Sequence, residues 1–284
     1  MKLTNKHDLP EILVSAIQND PYTKGKADIS VTQLIDSPQI RCLREKHPDR
    51  ENDVSDMIWA FFGQSVHAML ERIPETEGVI REQRLSTEID GKVLSGQVDL
   101  VYTKKIPVVT QRVLADYKVT SVWSVIYGKP EWETQLNVYR WMWEKENGSP
   151  VDNLQIITFL RDWQKSKAGD NYPVAPICTI DIPMWEMEQA EKYVRNRIKR
   201  HFSDLPSCTD KERWKKDDVW ALMKHGRKSA VKLFDSKQEA KDALANFGKS
   251  ENYIQHRPGR YTRCDDYCDV SEWCEQFSRD MEQR

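Results

Sequence analysis

The sequence has no hydrophobic run long enough to cross a bilayer. No stretch of it approaches the roughly 18 consecutive apolar residues that a membrane-spanning helix needs. Its first residues, Met1 to His7, also lack the apolar core of a secretory signal peptide. We therefore expect an intracellular protein without a membrane partner, in the cytoplasm of its cell or, for a virus-encoded protein, of the host.

The chain also lacks a strong net charge and a complete phosphate-binding loop. Its net charge is −2 and its pI is near 6.3, so only a local basic surface would attract DNA. The run Phe247-Gly248-Lys249-Ser250 ends like a phosphate-binding loop, but Ala243 stands where the first glycine belongs and a predicted helix precedes it. The sequence therefore predicts no ATPase motor, and the protein acts alone or with a separate partner.

Hydrophobic periodicity predicts an α/β fold. Residues 1–28 are polar and irregular, and 29–43 form a helical lead-in interrupted at Ser37-Pro38. The pattern then predicts, in order, a helix at 56–73, strands at 79–89, 92–102 and 113–118, a helix at 131–146, strands at 154–160 and 177–182, and a helix at 184–202. Asp90-Gly91 is a favoured hairpin turn between the first two strands. This order describes an α/β sandwich.

The helix after Asp56 carries an apolar stripe and a histidine. Its apolar residues recur every three or four positions, which predicts one buried face formed by Ile58, Trp59, Phe62, Val66, Met69, Leu70 and Ile73. His67 lies on this helix with Glu71 one turn later. Glu71 and Glu82, on the next strand, are further acids, but glutamates at such places are usually solvated, and both stay outside the predicted site.

Three charged residues lie on two neighbouring predicted strands. Asp99 follows Gly96-Gln97-Val98, and Asp116 and Lys118 lie two residues apart, so they share one face of their strand. One such carboxylate alone is usually a solvated residue at a strand end. Together they supply what metal-dependent phosphodiester hydrolysis needs, namely anionic oxygen ligands and a group that orients the attacking water.

Four elements in order resemble the PD-(D/E)xK nucleases. They are His67, the Gly96-to-Asp99 element, Asp116-Tyr117-Lys118, and the pair Gln135 and Tyr139. The resemblance is to the branch that holds the RecB nuclease domain, the CRISPR-adaptation nucleases and related phage exonucleases, and it covers about residues 30–205. It implies a restriction-endonuclease-like core, with a central mixed β-sheet flanked by helices.

The resemblance also implies a role for each matched residue. The implied ligands of Mg²⁺ or Mn²⁺ are His67, Asp99, Asp116 and the main-chain carbonyl of Tyr117. Lys118 would orient the nucleophilic water, so that Asp99, Asp116 and Lys118 form the catalytic set. Gln135 and Tyr139 lie one turn apart on the next helix and would contact the DNA strand, although such a pair is equally often part of the packing. The tryptophans around them, Trp132, Trp141 and Trp143, are interpreted as core residues.

Cysteines cluster near the end of the chain. Cys264, Cys268 and Cys274 fall within eleven residues, and thiolates select iron–sulfur clusters or zinc. The resemblance to the CRISPR-adaptation nucleases implies a [4Fe–4S] cluster, but those proteins usually have two residues between the first two cysteines where this chain has three, so Zn²⁺ stays open. We predict Cys208 as the fourth ligand, because 205–209 resemble a phage exonuclease tail. Cys42 is the alternative.

These observations predict three regions and one function. The regions are a flexible N-terminal segment at 1–28, a nuclease core at 29–205 and a cysteine-rich metal-binding or cluster-binding arm at 206–284. The function is a metal-dependent DNA exonuclease of phage or prophage recombination, repair or degradation, with a single-strand annealing protein or a helicase as partner. The alternatives are a CRISPR-associated nuclease in spacer acquisition and a non-catalytic DNA-binding protein with a structural four-cysteine metal site.

Overall fold

The computed structural model describes residues 2–19, 25–74, 76–204, 206–248 and 250–282. The chain divides into two compact units, one of residues 1–41 and 47–206 and one of 42–46 and 207–284. The predicted core ends at Leu205, which lies outside the described residues, as does Lys249 of the loop-like run. In the described ranges, no helix combines the length and the apolar character needed to cross a membrane.

The first unit is built around a mixed sheet of six strands. The unit as a whole has eight described strands, which are β1 (Lys2–Thr4), β2 (Ile29–Ser30), β3 (Glu51–Asp53), β4 (Val79–Ile89), β5 (Lys92–Ile106), β6 (Val109–Thr120), β7 (Asn153–Leu160) and β8 (Ile177–Ile182). The sheet has the order β2-β5-β6-β7-β8, with β4 paired to β5, while β1 and β3 form a separate parallel pair. The pairs β2–β5 and β6–β7 are parallel and the others antiparallel.

Helices flank this sheet, which confirms the α/β class. They are α1 (Glu11–Gln18), α2 (Val31–Ile35), α3 (Pro38–Lys46), α4 (Ile58–Glu71), α5 (Val122–Ile126), α6 (Pro130–Asn147) and α7 (Met187–His201). Helix α6 begins with proline at its first position and ends at Gly148, whose φ of 62° closes the helix in the left-handed conformation. The last five residues of α3 belong to the second unit.

The main core lies between the sheet and the helices α2, α6 and α7. Leu94 of β5, Leu114 of β6 and Leu136 of α6 are fully buried in it. Trp132, Trp141 and Trp143 of α6 belong to the same core, with exposed fractions of 6%, 1% and 2%. Burial of these rings against the sheet fixes α6 above the strands that carry the predicted site residues.

The hairpin of β4 and β5 has the predicted turn. Asp90 and Gly91 have φ values of 50° and 69°, which are the two left-handed conformations of a type I′ turn. The turn fixes the register of the two strands, so that Arg81 pairs with Leu100 and Gln83 with Val98. The register decides which side chains of β4 lie opposite which side chains of β5, and so which residues of β4 lie beside the predicted site residue Asp99.

The N-terminal residues differ from the irregular segment that the sequence predicts. Residues 2–4 form β1 and residues 11–18 form α1, although 20–24 lie outside the described part. Val14 and Ile17 of α1 are buried against Val54. The prediction of an irregular chain is therefore wrong for these two elements, because the few apolar residues of this polar segment form a small hydrophobic cluster with residues 54–61.

The predicted buried face of α4 is also wrong. Trp59, Phe62 and Met69 have exposed fractions of 52%, 43% and 66%, and no residue of the helix is fully buried. Ile73, beyond the helix end, is 50% exposed. The contacts of α4 with the sheet are made chiefly to β6, so one strand covers only part of the apolar stripe. Periodicity identifies the helix but not what covers it.

The second unit contains a small sheet and short helices. Its elements are β9 (Lys215–Lys216), β10 (Val219–Lys224), β11 (Lys232–Phe234), α8 (Lys237–Phe247), β12 (Asn252–Arg257), β13 (Arg260–Tyr261), α9 (Thr262–Asp266) and α10 (Glu275–Glu282). Strands β11, β10 and β12 pair antiparallel in that order and contact α8, and β9 pairs with β13. The sequence pattern predicts a short strand at 231–234 and a helix at 236–247, and these correspond to β11 and α8.

Candidate active site

An open cavity of about 860 Å³ lies in the first unit. The predicted site residues that line it are His67 from α4, Asp99 from β5, Asp116 and Lys118 from β6, and Gln135 and Tyr139 from α6. Residues that are separate in the sequence therefore meet in one place. Glu71 and Glu82, which the sequence-based prediction leaves out, line the same cavity.

The sheet opens where the two aspartates lie. The pairing of β5 with β6 runs from Ile106–Val109 to Leu100–Ala115 and stops one residue before Asp99 and Asp116. The Tyr117 backbone N–H, next along β6, donates instead to Asp99 Oδ2 at 2.8 Å. Beyond this point β5 pairs with β2 on the same side. Asp99 thus replaces a backbone acceptor of the ladder and holds the two strands apart around the cavity.

Glu82 belongs to the site because of the hairpin register. It lies between two paired residues of β4, opposite Asp99, and its own pair is missing from the ladder. Its φ of 49° is left-handed, a conformation that costs a residue other than glycine about 1–3 kcal/mol. The strained backbone turns Glu82 toward the cavity, which indicates that the surrounding contacts favour this position of the carboxylate.

The Glu82 carboxylate is held by two side chains. His67 Nδ1 lies 3.1 Å from Glu82 Oε1, and Gln97 Nε2 donates to Glu82 Oε2 at 2.8 Å. The other ring nitrogen of His67, Nε2, lies 3.8 Å from Asp99 Oδ2. The ligand atoms of His67, Glu82 and Asp99 all lie within 4.8 Å of one another. Gln97 therefore orients a carboxylate at the centre of the cluster.

Asp116 and Lys118 form a close ion pair at the same cavity. Lys118 Nζ lies 2.5 Å from Asp116 Oδ2, and Asp116 is only 2% exposed. Among the described residues this oxygen has no hydrogen bond of regular geometry, so the Lys118 ammonium is the group that offsets its charge. A buried oxygen of this kind is costly unless a cation or another donor satisfies it.

Electrostatics at the site reflect crowded negative charge. Burial, and then the charge of Asp116, raise the pKa of Asp99 to about 8. The hydrogen bond with Glu82 raises the pKa of His67 against the opposing effect of burial. In the metal-free protein His67 and Asp99 therefore both hold their protons more tightly than in the unfolded chain. A divalent cation would remove the repulsion that raises the pKa of Asp99.

The donor set fits Mg²⁺ or Mn²⁺. These ions prefer hard oxygen ligands, which Glu82, Asp99 and Asp116 provide, and His67 adds one nitrogen. The converging ligand atoms of His67, Glu82 and Asp99 agree with a bound cation. Tyr117 contributes its N–H to Asp99, and its ring lies edge-on to His67 with centroids 5.8 Å apart. The main-chain carbonyl of Tyr117 stays a predicted ligand.

Gln135 and Tyr139 are buried at the wall of the cavity. Their exposed fractions are 9% and 5%, and Gln135 Nε2 donates to the Tyr139 hydroxyl at 3.3 Å. Tyr139 packs on Gly96, where an added Cβ would lie 2.6 Å from Tyr139 Cε1. The glycine of the Gly96-to-Asp99 element therefore allows α6 to approach β5. A contact of this pair with DNA stays a prediction.

The cysteines assigned to a metal all belong to the second unit. This unit holds Cys208, Cys264, Cys268 and Cys274, and it includes the alternative ligand Cys42 because residues 42–46 are part of it. Arg44 donates to Asp269, directly after Cys268, and the Cys208 N–H donates to Gln276, two residues after Cys274. Both candidates for the fourth ligand are therefore on segments bonded to the tail.

No disulfide joins any two of the described cysteines, which are Cys42, Cys178, Cys208, Cys264, Cys268 and Cys274. Arg213, only 4% exposed, donates to Cys264 Sγ at 3.5 Å, and burial raises the pKa of Cys268. In the described part of the chain no three cysteine sulfurs lie within 4.8 Å of one another. The sulfurs are thus further apart than in a closed zinc tetrahedron, and the cluster stays a prediction.

The Glu82 carboxylate is the functional candidate that sequence reasoning missed. The sequence contained a signal for the position of Glu82, because a two-residue turn at Asp90-Gly91 places Glu82 opposite Asp99. The side chain of Gln97, inside the predicted element, orients it. Counting the register outward from a hairpin turn would have added this acid to the site.

Comparisons with known proteins give little further identification. No family model matches the chain, and no curated protein matches it. It is similar to a solved structure described as "Crystal structure of SSO0001", with a TM-score of 0.46 and 14% sequence identity. The match covers 69% of this chain and 86% of that one. The function is therefore inferred from the geometry of the site.

Proposed function

We propose that the chain is a divalent-metal-dependent deoxyribonuclease that acts as an exonuclease. The convergence of His67, Glu82 and Asp99, with ligand atoms within 4.8 Å of one another, carries this proposal. Asp116 and Lys118 line the same cavity. A surface that only binds DNA gains nothing from buried carboxylates, because they repel phosphates and are costly to bury. Metal-dependent hydrolysis of a phosphodiester, in contrast, needs carboxylates that hold the metal ions.

Each residue has a defined role in the proposed reaction. Glu82, Asp99, Asp116 and His67 would hold Mg²⁺ or Mn²⁺. A bound ion supplies charge stabilisation at the phosphate and a more acidic water. The Lys118 ammonium, held by its ion pair with Asp116, orients the attacking water and offsets the negative charge that develops on the phosphate. His67 would bind the ion through its neutral imidazole, which is the form with a lone pair for a metal.

We also propose a restriction-endonuclease-like core of the PD-(D/E)xK kind. Its support is the order of elements around the cavity, namely a helix with His67, the hairpin β4–β5, the strand β6 with Asp116 and Lys118, and helix α6 before the parallel strand β7. The four sequence elements of the resemblance line one cavity in this arrangement. A phage or prophage pathway with an annealing protein or helicase stays a prediction.

Digestion of end-labelled DNA tests the activity. We expect single- or double-stranded substrates to be shortened from an end with Mg²⁺ or Mn²⁺ and to stay intact with EDTA. Asp116→Ala should reduce cleavage to background while DNA binding remains, and Asp170→Ala, at an exposed aspartate, should cut like the parent. Cleavage by Asp116→Ala at the parent rate would contradict the assignment. Binding by the parent without cleavage would support the non-catalytic alternative instead.

For the second unit we propose a [4Fe–4S] cluster held by Cys208, Cys264, Cys268 and Cys274, with Cys42 as the alternative fourth ligand and Zn²⁺ as the alternative metal. The support is chemical, since soft thiolates are the donors that both groups select. The buried Arg213 also donates to Cys264 Sγ. Metal analysis of protein purified without oxygen separates the two metals.

A further inference from the structure

Large aromatic side chains are exposed beside the candidate site. We call Trp59, Phe62, Trp123, Tyr127 and the neighbouring Arg161 the aromatic surface. Its rings have exposed fractions of 52%, 43%, 55% and 78% in that order. Large exposed apolar groups of this kind are costly to leave in water and mark interaction sites when they lie close together.

Contacts link this surface to the strand that carries Asp116 and Lys118. Strand β6 ends at Thr120, whose carbonyl accepts the Arg161 N–H at 3.0 Å. The guanidinium of Arg161 lies 3.7 Å from the centre of the Trp59 ring. Trp123 follows Thr120 by three residues on α5. The aromatic surface therefore begins where the catalytic strand ends.

The rings have the arrangement of a stacking surface. Trp123 and Tyr127 are parallel to within 13°, with centroids 5.8 Å apart, and both are more than half exposed. One broad ring face is therefore open to solvent beside the pair. Flat open rings next to a guanidinium suit nucleobases, because every base presents a π-face to stack and each nucleotide brings a phosphate for the cation.

The charge around the rings also favours a polyanion. No aspartate or glutamate occurs in residues 57–70 or 117–130, the two segments that carry the four rings. Asp162, the acid next to Arg161, accepts the Val122 N–H at 2.7 Å and so is committed to the backbone of α5. The whole protein has a net charge of −2, so these two acid-free segments differ from the average of the chain.

We propose that the aromatic surface holds unpaired nucleotides of the strand being cut, with bases stacked on Trp123, Tyr127 and Trp59 and a phosphate at Arg161. That this strand is a substrate rests on the proposed nuclease function, whereas the binding itself does not. A double-stranded end without unpaired bases would not use the rings. The aromatic surface thereby favours substrates with single-stranded ends.

Binding in EDTA, where no cleavage occurs, tests the proposal. Fluorescence anisotropy compares a labelled single-stranded oligothymidine with the same oligomer carrying abasic sites and with a blunt duplex. Trp123→Ala and Tyr127→Ala should each weaken binding of the oligothymidine by about 5- to 150-fold, the range for loss of one stacked base. Neither should change binding of the blunt duplex or the melting temperature by much, because both positions are exposed.

Conservative variants separate stacking from simple apolar contact. Trp123→Phe should bind like the parent and Trp123→Leu like Trp123→Ala, because leucine is apolar but has no ring. Val108→Ala, at an apolar side chain that is 93% exposed on another loop, is the matched control and should have no effect. Full binding by Trp123→Leu would overturn the proposal and indicate a docking surface for a protein, and equal affinity for the abasic oligomer would overturn it as well.

The binding test of the aromatic surface and the cleavage test of the proposed nuclease function can fail independently. If the parent cuts DNA but the ring variants bind the oligothymidine normally, the stacking surface is wrong and the nuclease proposal stands. If the ring variants lose affinity while the parent cuts no DNA with either metal, the stacking surface stands and the nuclease proposal is wrong.

Discussion

Replacing Asp99 by asparagine removes a buried charge from the candidate site and keeps its shape. Asp99 is 7% exposed, and its Oδ2 accepts the Tyr117 N–H at 2.8 Å. Asparagine has an oxygen that can accept the same hydrogen bond. The substitution therefore separates the effect of charge from the effect of the strand separation that Asp99 maintains.

The sign of the effect follows from the raised pKa. The pKa of Asp99 is about 8 in the folded protein, because of burial and then the charge of Asp116, against about 4 in the unfolded chain. The folded state thus holds the proton more tightly. Its stabilising contribution is complete below about pH 4 and is lost as the pH rises through about 8.

The magnitude has an upper bound. At about 1.4 kcal/mol per pKa unit, ionisation of Asp99 costs the folded state at most about 6 kcal/mol above pH 8. Water enters the open cavity and raises the effective dielectric constant, so we expect about 2 kcal/mol. For a unit of this size, a gain of about 2 kcal/mol places the melting temperature of Asp99→Asn about 4–8 °C above that of the parent at pH 8. The difference is smaller at pH 5.

Thermal unfolding in EDTA at the two pH values measures the shift, and Asp170→Asn, at an exposed aspartate, is the control. Adding Mg²⁺ or Mn²⁺ should then stabilise the parent, because the cation offsets the buried charge, and should stabilise Asp99→Asn much less. The reasoning is refuted if Asp99→Asn melts below the parent at pH 8 in EDTA, or if the metal raises both melting temperatures equally.

Three further predictions concern the metal, the packing and the tail. Glu82→Gln should weaken Mn²⁺ binding in calorimetry by at least about tenfold, because it removes a charged ligand. Glu71→Gln is the control and should change the affinity little. Equal losses of affinity in the two variants would exclude a special role for Glu82. Gly96→Ala should lower the free energy of unfolding in urea by about 1–3 kcal/mol, since the new Cβ would meet Tyr139 and Val31, and an unchanged midpoint would show that α6 moves freely. Protein purified without oxygen should be brown from an iron–sulfur cluster, and a colourless sample with stoichiometric zinc would replace that cluster by zinc.

Local patterns predicted most of the first unit. Alternation and the Asp90-Gly91 turn predicted β4 and β5 with their bounds at 79, 89 and 92, because a type I′ turn needs two left-handed residues and the strands follow from it. Period two predicted that Asp116 and Lys118 share a face, and their ion pair agrees with it. The turn and the shared strand face depend only on residues that are adjacent in the chain, so they can be predicted from the sequence.

The exposure of α4 was not predictable in the same way. The spacing of Trp59, Phe62 and Met69 is that of a buried face, yet these side chains lie in solvent. Periodicity reports which residues share a side of a helix, and burial depends on what the fold brings against that side. The same limit applies to the tail, where spacing alone did not distinguish Cys42 from Cys208.

The sequence by itself determined the main strands β4 to β8 and the helices α4, α6 and α7, the turn between β4 and β5, and the residue types available for a metal site. Only the tertiary structure decided that β5 and β6 separate at Asp99 and Asp116 and that Glu82 turns into the cavity with left-handed backbone. It also decided that His67, on another helix, lies near the carboxylates of Glu82 and Asp99. The physical reason is that secondary structure follows local backbone and side-chain preferences. The ligand geometry instead depends on long-range packing, which sets a distance between atoms far apart in the chain.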